Sequence, residues 1–130
     1  MIVKGTFEVT MQGEPPYETV EQVPFARASF DKRFSGPLEA TGKVHMLSAR
    51  TAESASAGYV ALERITGTLD GKRGTFALVH LGLMDRGKSS LTVSIVPDSG
   101  TGELKGISGS MTIDIIERQH HYTLDWSLRP

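Results

Sequence analysis

The residue pair Glu63 and His80 carries the clearest chemical signal in this sequence. Both residues lie in segments where apolar and polar residues alternate, as they do in half-buried strands. A carboxylate and an imidazole on neighbouring strands can contact each other, and such a pair can serve as general base and general acid. We predict that Glu63 acts as base or charge stabiliser and His80 as acid or orienting donor. The alternative is a structural ion pair or hydrogen bond that fills a polar gap in the core.

Four further side chains are candidate ligand-binding residues, namely Lys32, Tyr59, Tyr122 and Trp126. Lys32 would balance the charge of Glu63 or bind an anionic group of a ligand; alternatively, its head group reaches solvent at a barrel rim. The two tyrosine hydroxyls could orient a ligand, or each ring could pack in the core with one hydrogen bond at its tip. Trp126 could line an apolar ligand cavity or fill the core.

Metal and cofactor chemistry find little support in the sequence. It has no cysteine, and His120 and His121 are adjacent, so on a strand their side chains point to opposite faces. His45 and His80 are isolated in sequence, which matches no known zinc-ligand spacing. The stretch Gly100–Gly106 lacks the spacing of a dinucleotide-binding loop and is interpreted as a wide turn. We therefore predict no metal and no cofactor.

Length and composition favour a single globular domain over residues 1–130. The net charge is -1 and the basic residues are scattered, which argues against nucleic-acid binding. The first ten residues lack the apolar core of a signal peptide, and no apolar stretch is long enough to cross a membrane. We expect a cytoplasmic protein with no membrane partner.

Alternation of apolar and polar residues recurs along the whole chain and predicts an all-β fold. Short turns rich in Gly, Pro and Asp favour antiparallel pairing of consecutive strands. About eight strands can close into a barrel, which removes exposed strand edges; a two-sheet sandwich is the alternative. The segments Glu14–Pro24 and Ser48–Ala57 are predicted to be loops. The predicted strands are 3–11, 28–34, 38–47, 59–69, 75–84, 91–96, 107–116 and 121–128.

Hairpin loops predict the register of three strand pairs, because a short loop determines which residues lie opposite each other. We centre these loops on Gly71–Lys72, Arg86–Gly87 and Arg118–Gln119. The resulting pairs are Glu63 with His80, Ile65 with Leu78, Tyr59 with Met84, His80 with Val93, Leu78 with Ile95, Ile115 with Tyr122, Ile113 with Leu124 and Met111 with Trp126. All of these pairs lie on one face, which is the predicted inside of the barrel.

The inner face is predicted to be apolar apart from Lys32, Glu63 and His80. Its predicted core residues are Phe7, Val9, Phe30, Phe34, Ile65, Phe76, Leu78, Val93, Ile95, Met111, Ile113, Ile115, Leu124 and Trp126. The outer face of the middle strands is also partly apolar, with Val60, Leu62, Val79, Leu81 and Val96. A partner subunit would cover that outer face, so we expect a homo-oligomer.

Several motifs are similar to those of a bacterial family of small proteins of unknown function. The shared stretches are Ser29–Lys32, Phe34–Gly36, Gly58–Arg64 and Val96–Leu104. This resemblance spans nearly the whole chain, and it implies a closed antiparallel barrel similar to that of allene oxide cyclase, together with oligomerisation. Allene oxide cyclases act on a long, apolar fatty-acid epoxide within the barrel. The family itself brings no established activity, so the resemblance assigns none.

Two functions follow from these features. The first is a protein, or an enzyme, that takes a small, mainly apolar ligand into the barrel mouth, where a few polar groups orient it. The second is a non-catalytic structural or oligomerisation module whose barrel is filled by side chains. A cavity of a few hundred cubic ångströms would favour ligand binding, and a packed interior would favour the module.

Overall fold

Nine β-strands make up the structure, a computed structural model that describes residues 1–21, 23–51 and 55–129. The strands are β1 (Ile2–Gly13), β2 (Glu18–Val20), β3 (Val23–Ser35), β4 (Leu38–Arg50), β5 (Ala57–Leu69), β6 (Lys72–Asp85), β7 (Lys88–Ile95), β8 (Ile107–Ile116) and β9 (Gln119–Leu128). A 3₁₀ turn at Gly102–Leu104 is the one helical element in these ranges. None of the described residues forms a helix long and apolar enough to cross a membrane.

Strand β1 closes the sheet into a barrel, because it pairs with β9 on one side and with β3 on the other. Every pairing is antiparallel, and consecutive strands from β3 to β9 lie side by side. Eight strands therefore form the barrel, which confirms the predicted closed antiparallel fold. The ninth, β2, pairs only with the first residues of β3. The prediction of a loop over Glu14–Pro24 was therefore wrong at Glu18–Val20 and from Val23 onward.

The second predicted loop, Ser48–Ala57, is shorter in the structure than predicted. Strand β4 continues to Arg50, and β5 already begins at Ala57. Both strands extend there because they pair with each other to their ends, with Arg50 opposite Ala57. Residues 52–54 of this segment lie outside the described residues.

One end of the barrel, near the β3–β4 and β5–β6 turns, is filled by packed side chains. Leu38, Leu69, Phe76, Leu78, Leu124 and Trp126 are among the buried residues of this core. Leu104, from the 3₁₀ turn after β7, is also buried in it. The 3₁₀ turn thus closes the packed end of the barrel.

The segment between β7 and β8 holds this closure in place through side-chain hydrogen bonds to β6. Ser99 Oγ accepts from the backbone N–H of Ala77, and Thr101 Oγ1 accepts from that of Thr75, both at 3.0 Å. Strand β7 stops pairing with β6 at Ile95, so these oxygens satisfy backbone donors that would otherwise lack a partner. The wide turn predicted for Gly100–Gly106 therefore has a structural role.

Two of the three predicted hairpin registers are wrong, each by two residues. The β5–β6 loop consists of Asp70 and Gly71, both with positive φ (49° and 81°), and the β8–β9 loop consists of Glu117 and Arg118 (51° and 69°). Positive φ at both central residues is typical of the tight two-residue turns whose twist matches a hairpin. The β6–β7 register, around Arg86–Gly87, is confirmed.

The wrong pairs are Glu63 with His80, Ile65 with Leu78, Tyr59 with Met84, Ile115 with Tyr122, Ile113 with Leu124 and Met111 with Trp126. In the structure Glu63 lies opposite Leu78, and His80 lies opposite Ala61. A shift of two residues leaves every side chain on the same face. The inner face was therefore predicted correctly although the partners were not.

Most of the predicted core is buried, with one clear exception. Val9, Phe30 and Ile113 are half-buried, and Ile115 is 65% exposed. The corrected register explains Ile115, because it lies opposite His120 at the other end of the barrel, close to the β8–β9 turn. The prediction that Ile115 belongs to the core was wrong.

We expect Ile65→Ala to lower the free energy of unfolding by about 2–5 kcal/mol, because it leaves a cavity in the packed end. Ile65 is 1% exposed, whereas Ile115 is 65% exposed. Ile115→Ala, the matched control, should cost less than about 1 kcal/mol. Urea unfolding of both variants measures the difference, and equal losses would contradict the observed register.

Candidate functional site

One buried carboxylate, Glu63, contacts two basic side chains inside the barrel. Its Oε1 atom lies 2.8 Å from His80 Nε2 and 3.1 Å from Lys32 Nζ. The three side chains, which we name the ion cluster, are almost completely removed from solvent, at 0% (Glu63), 5% (His80) and 9% (Lys32) exposure. The predicted contact between Glu63 and His80 is thus present, but it is diagonal between β5 and β6, within reach of long side chains.

A glycine on the strand between Lys32 and Glu63 makes room for the cluster. Gly42 on β4 pairs with Lys32 on β3 and with Ile65 on β5. A Cβ atom at Gly42 would collide with Glu63 Oε2 and would lie 3.0 Å from the ring of Phe34. Glu63 can therefore turn towards Lys32 only because position 42 carries no side chain.

The ammonium of Lys32 is held by aromatic rings as well as by the carboxylate. Its Nζ atom lies 4.7 Å from the ring centroid of Phe7 and 5.8 Å from that of Phe34. Both distances suit cation–π attraction, which is stronger where water is excluded. The positive charge of Lys32 offsets the negative charge of Glu63, so the cluster is neutral overall when His80 is uncharged.

A cavity of about 430 Å³ opens above the ion cluster at the mouth of the barrel. Its floor includes Lys32 and His80, whereas Glu63 does not line it. The lining as a whole is mainly apolar and comes from all eight strands of the barrel, and it also includes Arg50 and His120. Its remaining members are Phe7, Val9, Met11, Phe30, Val44, Met46, Tyr59, Ala61, Leu91, Ile113 and Ile115. The mouth is thus an apolar cavity with a basic, hydrogen-bonding floor.

Tyr59 lines the cavity, as its assignment to ligand binding requires. Its ring lies over Gly82, the residue opposite it on β6, where any side chain would collide with the ring. Burial raises the pKa of the Tyr59 hydroxyl above its usual value. The hydroxyl therefore stays protonated at neutral pH and remains a hydrogen-bond donor.

Tyr122 and Trp126 lie in the packed end, away from the cavity. The Tyr122 hydroxyl accepts a hydrogen bond from the Leu38 backbone N–H at 3.0 Å and lies 3.2 Å from the carbonyl oxygen of Ser35, to which it donates. Burial raises the pKa of Tyr122; the hydrogen bond to the Leu38 backbone lowers it, and the charge of Asp70 raises it further. Through these hydrogen bonds, the Tyr122 side chain connects β9 to the β3–β4 turn. Trp126 is buried, and its indole N–H has no partner among the described residues.

His120 lines the cavity but was not predicted as a site residue. Its ring centroid lies 4.9 Å from that of Phe7. The signal was available, because His120 precedes the inward-facing Tyr122 by two positions and so shares its face. Within the described ranges, no three side chains of His, Asp or Glu are grouped so that they could hold a metal.

Fold and site together define an eight-stranded antiparallel barrel with an open apolar mouth and a buried ion cluster. The chain belongs to the DUF3224 family of proteins of unknown function, whose sequence profile matches residues 3–126. It is similar to a protein of unknown function from this family in Shewanella oneidensis MR-1. That crystal structure has a TM-score of 0.94 and 43% identity, and the match covers 100% of this chain and 98% of that one. No curated protein matches the chain. The predicted resemblance to an uncharacterised family is confirmed, and it supplies no activity.

We expect Lys32→Met to lower the free energy of unfolding by about 3 kcal/mol, because it leaves the buried Glu63 charge without its cation. Lys43 forms a similar ion pair with Asp31, at 3.2 Å, but both of those side chains are about half exposed. Lys43→Met, the matched control, should cost less than about 1 kcal/mol. Urea unfolding compares the two, and a loss at Lys32 no larger than at Lys43 would show that Glu63 does not need the ammonium.

Proposed function

We propose that this protein binds a small, mainly apolar ligand in the barrel mouth, with a polar group of the ligand against Lys32 and His80. The observation that carries the proposal is the cavity of about 430 Å³ directly above these two side chains. Ligand sites are typically apolar cavities of about 300–1,000 Å³ with a few polar groups that orient the ligand. A barrel that served only as a structural module would be expected to have its whole interior filled by side chains.

Within this proposal the members of the ion cluster have different roles, because only some of them are exposed to the cavity. Lys32 and His80 line the cavity and would touch the ligand. Glu63 has no exposed side-chain surface, so it would act through the other two as a positioning residue. Should the ligand be turned over, His80 is the group placed for proton transfer, and Glu63 stabilises the charge that His80 would acquire.

Binding of a hydrocarbon probe tests the cavity directly. We expect 4-ethyltoluene to cause saturable shifts in the backbone amide spectrum at cavity residues such as Phe30, Ala61 and Leu91. Met46→Trp should abolish them, because Met46 lines the cavity and the larger ring would fill it. Leu47→Trp is the matched control, since Leu47 follows on the same strand but is exposed on the outer face. Shifts confined to the outer face, or unchanged in Met46→Trp, would contradict the proposal.

A second proposal concerns the outer surface of β4, β5 and β6, which we name the outer patch. Its members are large aliphatic side chains that are each 41–58% exposed, namely Leu47, Val60, Leu62, Val79, Leu81 and Leu83. Together they expose roughly 500 Å² of apolar surface, about the apolar part that one partner contributes to a homodimer of standard size. We propose that a second copy of the chain covers this patch with its own outer patch, because all six members of the patch are uncharged aliphatic side chains.

We expect the protein to be a dimer in solution and Leu62→Lys to convert it to a monomer, because a buried lysine pair at a two-fold contact would repel. Thr10→Lys, on the polar outer face of β1, should leave the dimer intact. Sedimentation velocity over a range of concentrations measures both. A monomer at every concentration, or a dimer that survives Leu62→Lys, would reject this use of the outer patch.

A further inference from the structure

The ionisable side chains that line the cavity carry positive charge or none. Among the described residues they are Lys32, Arg50, Tyr59, His80 and His120, and no carboxylate lines the cavity. The two histidines are neutral or positive in either protonation state. Burial raises the pKa of the Tyr59 hydroxyl, so that group is uncharged at neutral pH. The lining therefore favours a negative group on a ligand over a positive one.

Arg50 is the cation in this lining whose charge is not balanced. Lys32 Nζ lies 3.1 Å from Glu63 Oε1, so the charge on the cavity floor already has a negative partner. In the described part of the chain, none of the ion pairs involves Arg50. Acidic residues at this end of the barrel, such as Asp85 and Glu117, are exposed and do not line the cavity. The guanidinium of Arg50 is thus available to a ligand.

Arg50 lies at the rim of the cavity, far from its floor. It is the last residue of β4, eight positions beyond Gly42, which lies opposite Lys32. Eight residues of a strand span about 27 Å, and Val44 and Met46 line the cavity between these two positions. Arg50 is exposed. A negative group bound to it keeps part of its water shell, so the cost of desolvating the charge stays small.

We propose that the ligand is a carboxylic acid whose apolar body fills the cavity and whose carboxylate binds Arg50 at the rim. This inference rests on the proposed function and deepens it, because it adds an anionic group at the end of the ligand that is remote from Lys32 and His80. A planar guanidinium can donate two parallel hydrogen bonds to the two oxygens of a carboxylate. One unbalanced cation also matches the single charge of a carboxylate better than the charge of a phosphate monoester, which is about -2 at neutral pH.

The floor is a poor place for this anion. A carboxylate against Lys32 would bring a second negative charge close to Glu63, whose Oε1 atom already contacts the ammonium. Like charges repel strongly where water is excluded. A cationic head group would fare no better at the rim, because it would meet Arg50. The ligand is therefore oriented with its acid group outward and its other end towards the floor.

Three probes of similar shape and different charge test the inference, namely 4-butylbenzoate, 4-butylbenzamide and 4-butylbenzamidinium. We expect the benzoate to bind about tenfold more tightly than the amide, as one charge-assisted contact would give. The amidinium should bind most weakly. Calorimetric titrations at low ionic strength measure the three affinities, because salt screens an exposed charge pair.

Variants of two arginines locate the contact. Arg50→Gln should remove the preference for the benzoate over the amide, and Arg50→Lys, which keeps the charge, should retain part of it. Arg27→Gln is the matched control, because Arg27 is an exposed arginine that lines an outer groove and not the cavity. A preference that survives Arg50→Gln, or that falls equally in Arg27→Gln, would overturn the inference.

The outcomes separate this inference from the proposed function. If 4-ethyltoluene binds in the cavity but the benzoate is not preferred over the amide, the anionic group is wrong while the apolar cavity stands. If neither the hydrocarbon nor any of the three probes binds there, both proposals fall.

A measurement on the unmodified protein guards against variants that fold poorly. The Nε–H signal of Arg50 should shift as the benzoate is added and stay in place with the amide. Nuclear Overhauser contacts should join the butyl group to Ala61, which lies opposite His80 near the floor. Contacts between the butyl group and Arg50 would show the reverse orientation and would contradict the inference.

Discussion

The structure is organised around one buried carboxylate. A charge in an apolar interior is costly unless it is paired and hydrogen-bonded, and Glu63 lies on the inside of a barrel among apolar neighbours. Lys32 and His80 reach it from two other strands, and Gly42 leaves the space in which it turns towards Lys32. The four strands β3 to β6 must therefore be in register before Glu63 Oε1 gains its two partners, which ties the cluster to the fold as a whole. The second oxygen, Oε2, is buried without a partner among the described residues.

The ion cluster also separates the interior of the barrel into a packed end and an open mouth. Below it the interior is packed, and the segment that contains Leu104 closes the end. Above it the barrel is open, and β7 and β8 pair only at Val93 with Met111 and at Ser94 with Ser110. The packed end supplies most of the buried apolar surface and hence the stability. The mouth thereby holds a cavity whose floor includes Lys32 and His80.

The alternation of residues was sufficient to predict the barrel and its inner face, but not the partners across the strands. Asp70 and Gly71 form a two-residue turn that an Asp-Gly signal indicates, and centring the loop one residue later shifted the register by two. The turn at Glu117 and Arg118 has no glycine to mark it. The contact between Glu63 and His80 was still found, because a shift of two preserves the face and long side chains meet diagonally.

The cavity and the positions of the other site residues could not be derived in the same way. Tyr59 and Tyr122 look alike in sequence, yet one faces the mouth and the other fastens the packed end. That difference depends on how far along the barrel each residue lies, which only the closed structure defines. The same holds for Ile115, which shares the inner face of the core but lies beyond it.

Difference infrared spectroscopy of the protein and its Glu63→Gln variant, at neutral pH, tests the central claim most directly. We expect the side chain at position 63 to be a charged carboxylate balanced by the Lys32 ammonium. The variant should then lose the stretching band of an ionised carboxylate. Loss of a protonated carboxyl band instead would contradict the charged cluster and the cavity floor built upon it.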